Sequence, residues 1–178
     1  MILPHYLNYT YNTTELNIEN ITIRTELQAG DIGTISYLHG ILYKKEYGYG
    51  MAFESYVAMG LHEFFINYNP AKDGVWICEF MKEIMGFLLL MDRGNGSAQL
   101  RYFIIKPEYR GLGLGRKLMY LYMKHLKEKG FTHSYLWTTH ELAAAASLYL
   151  KAGFRLTEEK SSTTFGKPLV EQRYDYTP

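Results

Sequence analysis

The chain has 178 residues, of which 47% are hydrophobic and 21% charged, and its formal net charge is +1. This length suits one domain with its own core, and the near-zero net charge argues against a broad electrostatic surface for nucleic acid. The single cysteine, Cys78, cannot form an internal disulfide, which favours a reducing compartment. We find no apolar run of about 18 residues that would cross a membrane and no signal peptide. These features predict a cytoplasmic protein whose partners are neither nucleic acid nor membrane.

The first half of the chain predicts a strand, two helices and a three-stranded meander. Alternation of apolar and polar side chains predicts a half-buried strand over residues 21–27. Asp31 is a candidate N-cap for a helix over residues 32–47, and a second helix is expected over residues 51–67 after the break at GYG. The predicted meander strands are 75–80, 84–90 and 98–105, with a turn at Asn95-Gly96 before the last of them.

The second half predicts helices that alternate with strands. Residues 114–129 place apolar side chains on one face of a helix, and residues 141–152 are strongly helical by propensity. Thr138 and Glu141 have the spacing of a capping box for the second of these helices. The predicted strands of this half are 134–139, 154–160 and 169–176.

The resulting element order is β-α-α-β-β-β-α-β-α-β-β. It predicts an α/β domain of the α+β mixed-sheet kind, in which the helices pack on one sheet. We interpret residues 1–20 as an N-terminal extension and residues 21–178 as this single domain.

The segment IIKPEYRGLGLGRKLM, residues 104–119, places three alternating glycines between a predicted strand and a predicted helix. A P-loop requires glycine at the sixth position counted from Gly111, where Arg116 stands, and a later Ser or Thr that is absent. A dinucleotide-binding fingerprint also requires glycine where Arg116 stands. Neither motif is therefore present.

These glycines nevertheless fit an anion-binding site. Glycines ahead of a helix leave backbone N–H groups accessible, and the helix dipole favours an anion at that end. Arg110 and Arg116 add positive charge, so a diphosphate fits the segment. A tight turn that requires positive φ is the alternative explanation.

Two motifs together resemble the GNAT superfamily of acyl-CoA-dependent N-acetyltransferases. RGLGLG, residues 110–115, matches the family's R/Q-x-x-G-x-G/A loop, and SLYLKAGF, residues 147–154, resembles its LYxKxGF signature. The element order agrees, and the resemblance covers residues 21–176. It implies the GNAT fold, in which the strand before the loop splays from its parallel neighbour and the cofactor lies in the gap.

A closer likeness is to the acetyltransferase half of MarR-type regulator–acetyltransferase fusions. It rests on GDIG with LHGILYKKEYG, on RGLGLGRKL, and on LWTT with the later KAGFRLTEE. Because the chain has no room for a winged-helix half, we expect the acetyltransferase domain alone.

The resemblance implies acetyl-CoA as the cosubstrate. Backbone N–H groups of the glycine loop would bind its diphosphate, and an N–H near Ile104 or Ile105 would bind the thioester oxygen. The cofactor-binding residues that it implies are Ile104, Ile105, Arg110, Gly111, Leu112, Gly113, Leu114, Gly115, Arg116 and Ser147.

Tyr149, the tyrosine of SLYLKAGF, is implied by the resemblance to be the acid that protonates the leaving thiolate. A free thiol has a pKa of about 8.5, so a nearby acid assists its departure. A packed helical tyrosine is the alternative. The family often has Asn seven residues earlier, where this chain has Leu142, so the contact made by that Asn is absent or supplied by Thr139 or His140.

His39, Tyr43, Glu46 and Tyr47 share one face of the first predicted helix. In GNAT folds the first two helices wall the acceptor site, so the resemblance implies that this aromatic and acidic stripe binds a cationic amine. Packing of the same face on the sheet is the alternative. The candidate bases for the amine are Glu46, Glu79, Glu83 and His39. No histidine or cysteine motif for a metal is present, and we expect no metal.

We therefore predict an N-acetyltransferase that moves an acetyl group from acetyl-CoA directly to a primary amine of a small molecule or amino acid. A non-catalytic acetyl-CoA-binding sensor is the alternative, and acetylation of protein N-termini or lysines is a third option. A homodimer is expected from the family alone.

Overall fold

The structure, a computed structural model, describes residues 20–178, so the predicted N-terminal extension lies outside it except for Asn20. Within this range seven strands form one sheet, with four α-helices. The strands are β1 (Thr22–Arg24), β2 (Gly74–Phe80), β3 (Glu83–Asp92), β4 (Ser97–Ile105), β5 (His133–Thr139), β6 (Arg155–Ser162) and β7 (Leu169–Tyr176). The helices are α1 (Asp31–Tyr47), α2 (Met51–Ile66), α3 (Leu114–Glu128) and α4 (Ala143–Lys151). This order confirms the predicted mixed α/β fold, whereas the division into an extension and one domain stays a prediction.

The sheet is mixed, with the strand order β1-β2-β3-β4-β5-β7-β6. Its neighbours are antiparallel except for β4 and β5, which run parallel. These two strands pair only from Ser97 to Gln99 on β4, opposite His133 to Tyr135 on β5. Beyond these pairs the strands separate, which confirms the predicted splay and opens the sheet between the ends of β4 and β5.

Hydrophobic side chains form one core on each face of the sheet. Leu88 and Leu90 of β3 join the core beneath α3 and α4, whereas Phe87 and Leu89 join the core beneath α1 and α2. This alternation follows from the pleat, which sends successive side chains to opposite faces. None of the helices in the described part of the chain is long and apolar enough to cross a bilayer.

The start of α1 differs from the prediction. Gly30, with φ 98°, is the N-cap, and Asp31 is the first helical residue. The Asp31 carboxylate accepts hydrogen bonds from the Gln28 backbone N–H at 2.6 Å and from Arg24 of β1 at 2.8 and 3.0 Å. A glycine takes the cap because it adopts positive φ without steric cost, while an ion pair with β1 holds the aspartate.

The predicted capping box at the start of α4 is wrong. Thr138 lies within β5, and α4 begins at Ala143 without a side-chain cap. Glu141 instead accepts hydrogen bonds from the Tyr49 hydroxyl at 3.0 Å and from Lys167 Nζ at 2.6 Å. Tertiary partners therefore hold the glutamate that sequence spacing assigned to the helix terminus.

Candidate active site

Two adjoining cavities lie where β4 and β5 separate. The first, which we call the glycine-loop cleft, has a volume of about 590 Å³ and is bounded by the end of β4, the loop after it, and helices α1, α3 and α4. The second, the aromatic pocket, has a volume of about 360 Å³ and is bounded by α1, α2, β4, β5 and the β6–β7 hairpin. Tyr43, Phe103 and Leu142 line both cavities. The two spaces therefore meet at these three side chains.

The backbone of the glycine loop brings an uncapped helix terminus to the cleft. Gly111 and Gly113 have φ values of 80° and 88°, which an L side chain rarely adopts. Gly113 is the N-cap of α3, which has no side-chain cap and no acidic residue in its first turn. The unsatisfied N–H groups and the positive end of the helix dipole therefore lie at the cleft, as anion binding requires.

The third glycine of the loop serves helix packing. A Cβ on Gly115 would lie 3.0 Å from Leu148 Cδ1 of α4 and 3.7 Å from side-chain carbons of Ile105 and Phe103. A larger residue would thus push α3 away from α4 and β4. Gly111 and Gly113 take the positive φ expected of a tight turn, at a helix terminus that also suits an anion, whereas the close packing at Gly115 matches neither explanation.

Most of the predicted cofactor-binding residues line the glycine-loop cleft. They are Ile104, Ile105, Arg110, Gly111, Gly113, Gly115, Arg116 and Ser147. Leu112 and Leu114 do not line it, and the Leu114 side chain is buried in the core beneath α3. Leu112 and Leu114 would bind the diphosphate through their backbone N–H groups, so their role in the site stays a prediction.

Arg110 and Glu46, which the sequence assigned to different ligands, form an ion pair at the mouth of the cleft. The Arg110 guanidinium donates to both Glu46 carboxylate oxygens at 2.8 and 2.9 Å, and its Nε donates to the Ile105 carbonyl. The hydrogen bonds to Glu46 raise the pKa of Arg110. The pair joins α1 to the glycine loop and neutralises one of the two loop arginines, whereas no ion pair within residues 20–178 involves Arg116.

Tyr149 of α4 is buried and lines the aromatic pocket. Its ring centroid lies 6.4 Å from that of Phe103, one of the residues at which the cavities meet. Burial raises the pKa of Tyr149 above its usual value, and nearby Tyr174 raises it further. The hydroxyl is therefore protonated at neutral pH and can act as a proton donor.

The structure divides the predicted acceptor stripe between the cavities. His39 lines the aromatic pocket, Tyr43 lines both cavities, and Glu46 and Tyr47 line the glycine-loop cleft. Of the other candidate bases, Glu79 pairs with Arg24 and Glu83 with Lys106, and neither lines a cavity of the site.

His39 is held neutral with one ring nitrogen free to accept. Its Nδ1 lies 2.8 Å from the Ile35 carbonyl oxygen, and because a carbonyl only accepts, Nδ1 carries the hydrogen. Nε2 is therefore the unprotonated nitrogen. Burial lowers the pKa of His39 to about 4, against a smaller opposing effect of the bond to Ile35.

The two replacements considered for the family's Asn lie in different places. Thr139 lines the aromatic pocket, where its hydroxyl lies 2.7 Å from the Tyr49 hydroxyl. His140 lines neither cavity, and its Nδ1 accepts a hydrogen bond from the Val170 backbone N–H at 3.2 Å. Leu142 itself stands at the junction of the cavities with an apolar side chain.

Sequence reasoning missed much of the wall of the aromatic pocket. The missed residues include Tyr49, Phe53, Arg101, Tyr102, Lys160 and Phe165. Tyr49 is the one next to a local signal, because it stands between the two glycines of the GYG break that separates α1 from α2. The others belong to the α2, β4 and β6–β7 segments, in which no sequence motif marks a site.

Comparison with known protein families matches residues 40–154 to the Acetyltransferase (GNAT) family. The chain belongs to the GNAT acetyltransferase family. The matched range contains Tyr149, the splayed ends of β4 and β5 and every residue that lines the glycine-loop cleft, so family membership and this cleft rest on the same part of the chain.

Relatives of this GNAT protein carry N-acetyltransferase names. The Escherichia coli (strain K12) protein named uncharacterized N-acetyltransferase YjgM is 31% identical over 97 residues, which are 53% of this chain and 58% of that protein. The chain spans about half the length of the curated relatives it matches.

Solved structures share the fold. Spermidine N-acetyltransferase from Vibrio cholerae, in complex with CoA and spermine, matches with a TM-score of 0.67 at 23% identity, over 89% of this chain and 96% of that one. The protein yncA from Salmonella typhimurium, solved with its cofactor acetyl-CoA, matches with a TM-score of 0.62 at 16% identity, over 89% and 94% of the two chains.

Proposed function

We propose that this GNAT protein transfers an acetyl group from acetyl-CoA to a primary amine. One observation carries the proposal: an anion-binding helix terminus in the glycine-loop cleft leads, through a shared wall, to a pocket that contains a protonated tyrosine. Fold neighbours solved with CoA or acetyl-CoA support the choice of donor.

The residues of the cleft fit acetyl-CoA. The positive-φ glycines and the uncapped start of α3 suit its diphosphate, Arg116 adds charge, and Ile104, Ile105 and Ala145 offer apolar walls for the pantetheine chain. When bound, acetyl-CoA supplies an acetyl group activated as a thioester.

The aromatic pocket provides the groups that handle protons. Tyr149 holds the proton that a departing thiolate requires. His39, whose pKa burial lowers to about 4, is a weak base toward an ammonium group, whose pKa is about 10.4. Nε2 of His39 instead accepts a hydrogen bond from an amine that has already lost its proton to water, and so orients the nitrogen lone pair.

Several finer assignments belong to the same proposal. The likeness to the acetyltransferase half of MarR-type fusions is supported by the quoted segments, and the reducing, cytoplasmic setting by a free and buried Cys78. The homodimer stays a prediction from the family.

The proposal is tested by incubating the protein with acetyl-CoA and a panel of primary amines and by following release of free thiol. We expect thiol release that depends on the amine, together with calorimetric binding of acetyl-CoA. Tight binding of acetyl-CoA without thiol release from any amine would favour the sensor, for which apolar Leu142 at the junction is the specific indication.

A further inference from the structure

We propose that the acceptor amine carries a carboxylate group and that Arg101 in the aromatic pocket binds it. This inference deepens the proposed N-acetyltransferase function and rests on it. The charged residues that line the aromatic pocket are Arg101, Lys160 and Glu171. Lys160 and Glu171 form an ion pair at 3.4 Å, and His39 is neutral at pH 7 because burial lowers its pKa to about 4. The lining therefore has one positive charge that no carboxylate of the pocket wall offsets.

The carboxylate behind Arg101 does not neutralise it fully. The Arg101 side chain is only 9% exposed, and its Nη1 lies 3.4 Å from Glu63 Oε2. The Glu63 side chain is 44% exposed and also pairs with Arg93, whose Nη1 lies 2.5 Å from Glu63 Oε1. Two guanidinium groups thus share one carboxylate, and the cluster keeps a net positive charge.

Arg93 is the more completely hydrogen-bonded guanidinium of the same cluster, because each of its three nitrogens donates a hydrogen bond. Its Nε and Nη2 donate to Gln99 Oε1 at 2.8 and 2.6 Å, while its Nη1 donates to Glu63. Arg101, in contrast, donates one long hydrogen bond to Glu63 among the described residues. Because a guanidinium has five N–H donors in a planar fork, Arg101 retains the donors for a bidentate carboxylate.

An irregularity in β4 aims Arg101 into the pocket. The register with β3 shifts between Phe87 and Leu89, and Tyr102 has a φ of 55°. The Arg101 guanidinium lies 4.5 Å from the ring centroid of Tyr102 and 5.3 Å from that of Tyr56. These contacts with two rings restrict the movement of the guanidinium, which favours binding of a carboxylate through two parallel hydrogen bonds.

A glycine in α2 makes room for this stack. A Cβ on Gly60 would lie 1.6 Å from the Tyr102 hydroxyl oxygen and 2.8 Å from Arg101 Nη2. Any other residue at position 60 would displace both side chains. Gly60 of α2 therefore allows Arg101 and Tyr102 to keep their observed positions.

The position of Arg101 defines the size of the acceptor. Phe103, at the junction of the cavities, is two positions from Arg101 along β4, which corresponds to at most roughly 7 Å of strand. A small molecule with its amine at the junction and its carboxylate at Arg101 spans that interval. Phe53 and Phe165 also line the pocket, so an apolar side chain fits. We therefore assign the acceptor class as an amino acid with an apolar side chain, and a polycation such as spermidine is disfavoured by the net positive lining.

Binding of reaction products tests the site independently of catalysis. N-acetylphenylalanine and N-acetylphenylalaninamide, with the corresponding methionine pair, differ only in the carboxylate, and each is titrated calorimetrically into the wild-type protein in the presence of CoA. We expect each acid to bind about 10- to 100-fold more tightly than its amide, which is the effect of a charge-assisted hydrogen bond. Equal affinities in both pairs, tighter amides, or no binding of any of the four would overturn the inference.

Variants assign the effect to Arg101. Arg101→Met should reduce the acid affinity to that of the amide, whereas Lys124→Met, a control that removes one positive charge outside both cavities, should keep the preference. Should Arg101→Met not fold, Arg101→Gln takes its place, and the wild-type comparison stands by itself. A preference that survives in the Arg101 variant refutes the assignment.

A kinetic comparison separates this inference from the proposed function. Phenylalanine, its amide and spermidine are offered with acetyl-CoA while thiol release is followed. Transfer to the amide or to spermidine but not to phenylalanine would leave the transferase standing and overturn the carboxylate site. Acid-selective product binding without thiol release from any amine would support the Arg101 site and contradict the transferase.

Discussion

Burial reinforces the neutral form of the two side chains on which the proposed chemistry depends. Tyr149 is kept as a neutral phenol because an anionic phenolate would be poorly solvated in its surroundings. His39 is kept as a neutral imidazole for the same reason, with its tautomer set by the Ile35 carbonyl. Each residue therefore has one defined role at neutral pH, the first as donor and the second as acceptor.

Replacement of Tyr149 by Phe tests the proton donor. The phenyl ring keeps the contacts with Phe154 and Tyr174, so we expect the fold and the affinity for acetyl-CoA to stay close to wild type. Turnover should fall by about 10²-fold, the usual contribution of a positioned acid. Steady-state thiol release with calorimetry of acetyl-CoA binding measures both. Unchanged turnover would remove Tyr149 from the mechanism.

His39 should make stability depend on pH. Its folded pKa is about 4 and its unfolded pKa 6.5, so between these values the unfolded chain binds a proton that the folded chain does not. Stability is therefore full above pH 6.5 and falls as the pH is lowered, by about 2 kcal/mol between pH 7 and pH 5. Urea unfolding at both values measures this loss.

The His39→Gln variant isolates that effect from the other titrating groups. Its amide can still donate to Ile35, but it does not titrate, so the loss between pH 7 and pH 5 should be smaller than in wild type by the same amount. Equal losses in the two proteins would show that His39 is not the group responsible.

The start of α3 is the element on which the proposed binding of acetyl-CoA depends. Gly113 adopts a positive φ at the N-cap of this helix. The terminal N–H groups have no side-chain cap and are therefore available to an anion. Gly130 at the other end of α3 has a similar φ of 71° and lies outside both cavities. Gly113 and Gly130 therefore both require a positive φ, but only Gly113 lines the glycine-loop cleft.

Gly113→Glu and Gly130→Glu form a matched pair. Each should lose about 1–2 kcal/mol of stability, because a side chain is forced into the left-handed region. Only Gly113→Glu should abolish binding of acetyl-CoA, through steric block and repulsion of the diphosphate, as measured by calorimetry on the folded variants. Retained binding in Gly113→Glu, or equal loss in both, would contradict an anion site at this terminus.

At the scale of the whole molecule, the opening between β4 and β5 separates the α1–α2 layer from the α3–α4 layer. We expect bound acetyl-CoA to contact both layers. The α1–α2 layer and the α3–α4 layer meet across this opening at Tyr43, Phe103 and Leu142, and the Arg110–Glu46 pair links them at the mouth. Arg110 is 44% exposed, so this pair alone contributes at most about 1 kcal/mol. A ligand that fills the opening should add more.

Acetyl-CoA at 100 times its Kd should raise the free energy of unfolding by about 2.7 kcal/mol. For a chain of this size the midpoint of thermal unfolding should then rise by roughly 5–10 °C. Pantetheine, which lacks the diphosphate, is the control and should give a much smaller shift at the same concentration. Equal shifts from the two compounds would mean that the glycine loop does not hold the diphosphate.

Local patterns allowed the elements and most of the lining of the glycine-loop cleft to be predicted. The alternating glycines with a following amphipathic helix, and the tyrosine of SLYLKAGF, are contiguous segments whose chemistry depends on neighbours in sequence. Apart from His39 and Tyr43, the lining of the aromatic pocket could not be predicted in this way. Arg101 and Tyr102 point to one face because of a register shift and a positive φ at a tyrosine, and alternation along the strand would have separated them.

The sequence by itself determined the order of helices and strands, the family resemblance and the residues of the glycine loop, because periodicity and turn chemistry are set within a few residues. Only the tertiary structure decided which side chains meet. It paired Glu46 with Arg110, took Glu141 from the helix terminus to Tyr49 and Lys167, and left Arg101 sharing Glu63 with Arg93. These outcomes depend on charges and volumes brought together from distant segments, which no local pattern contains.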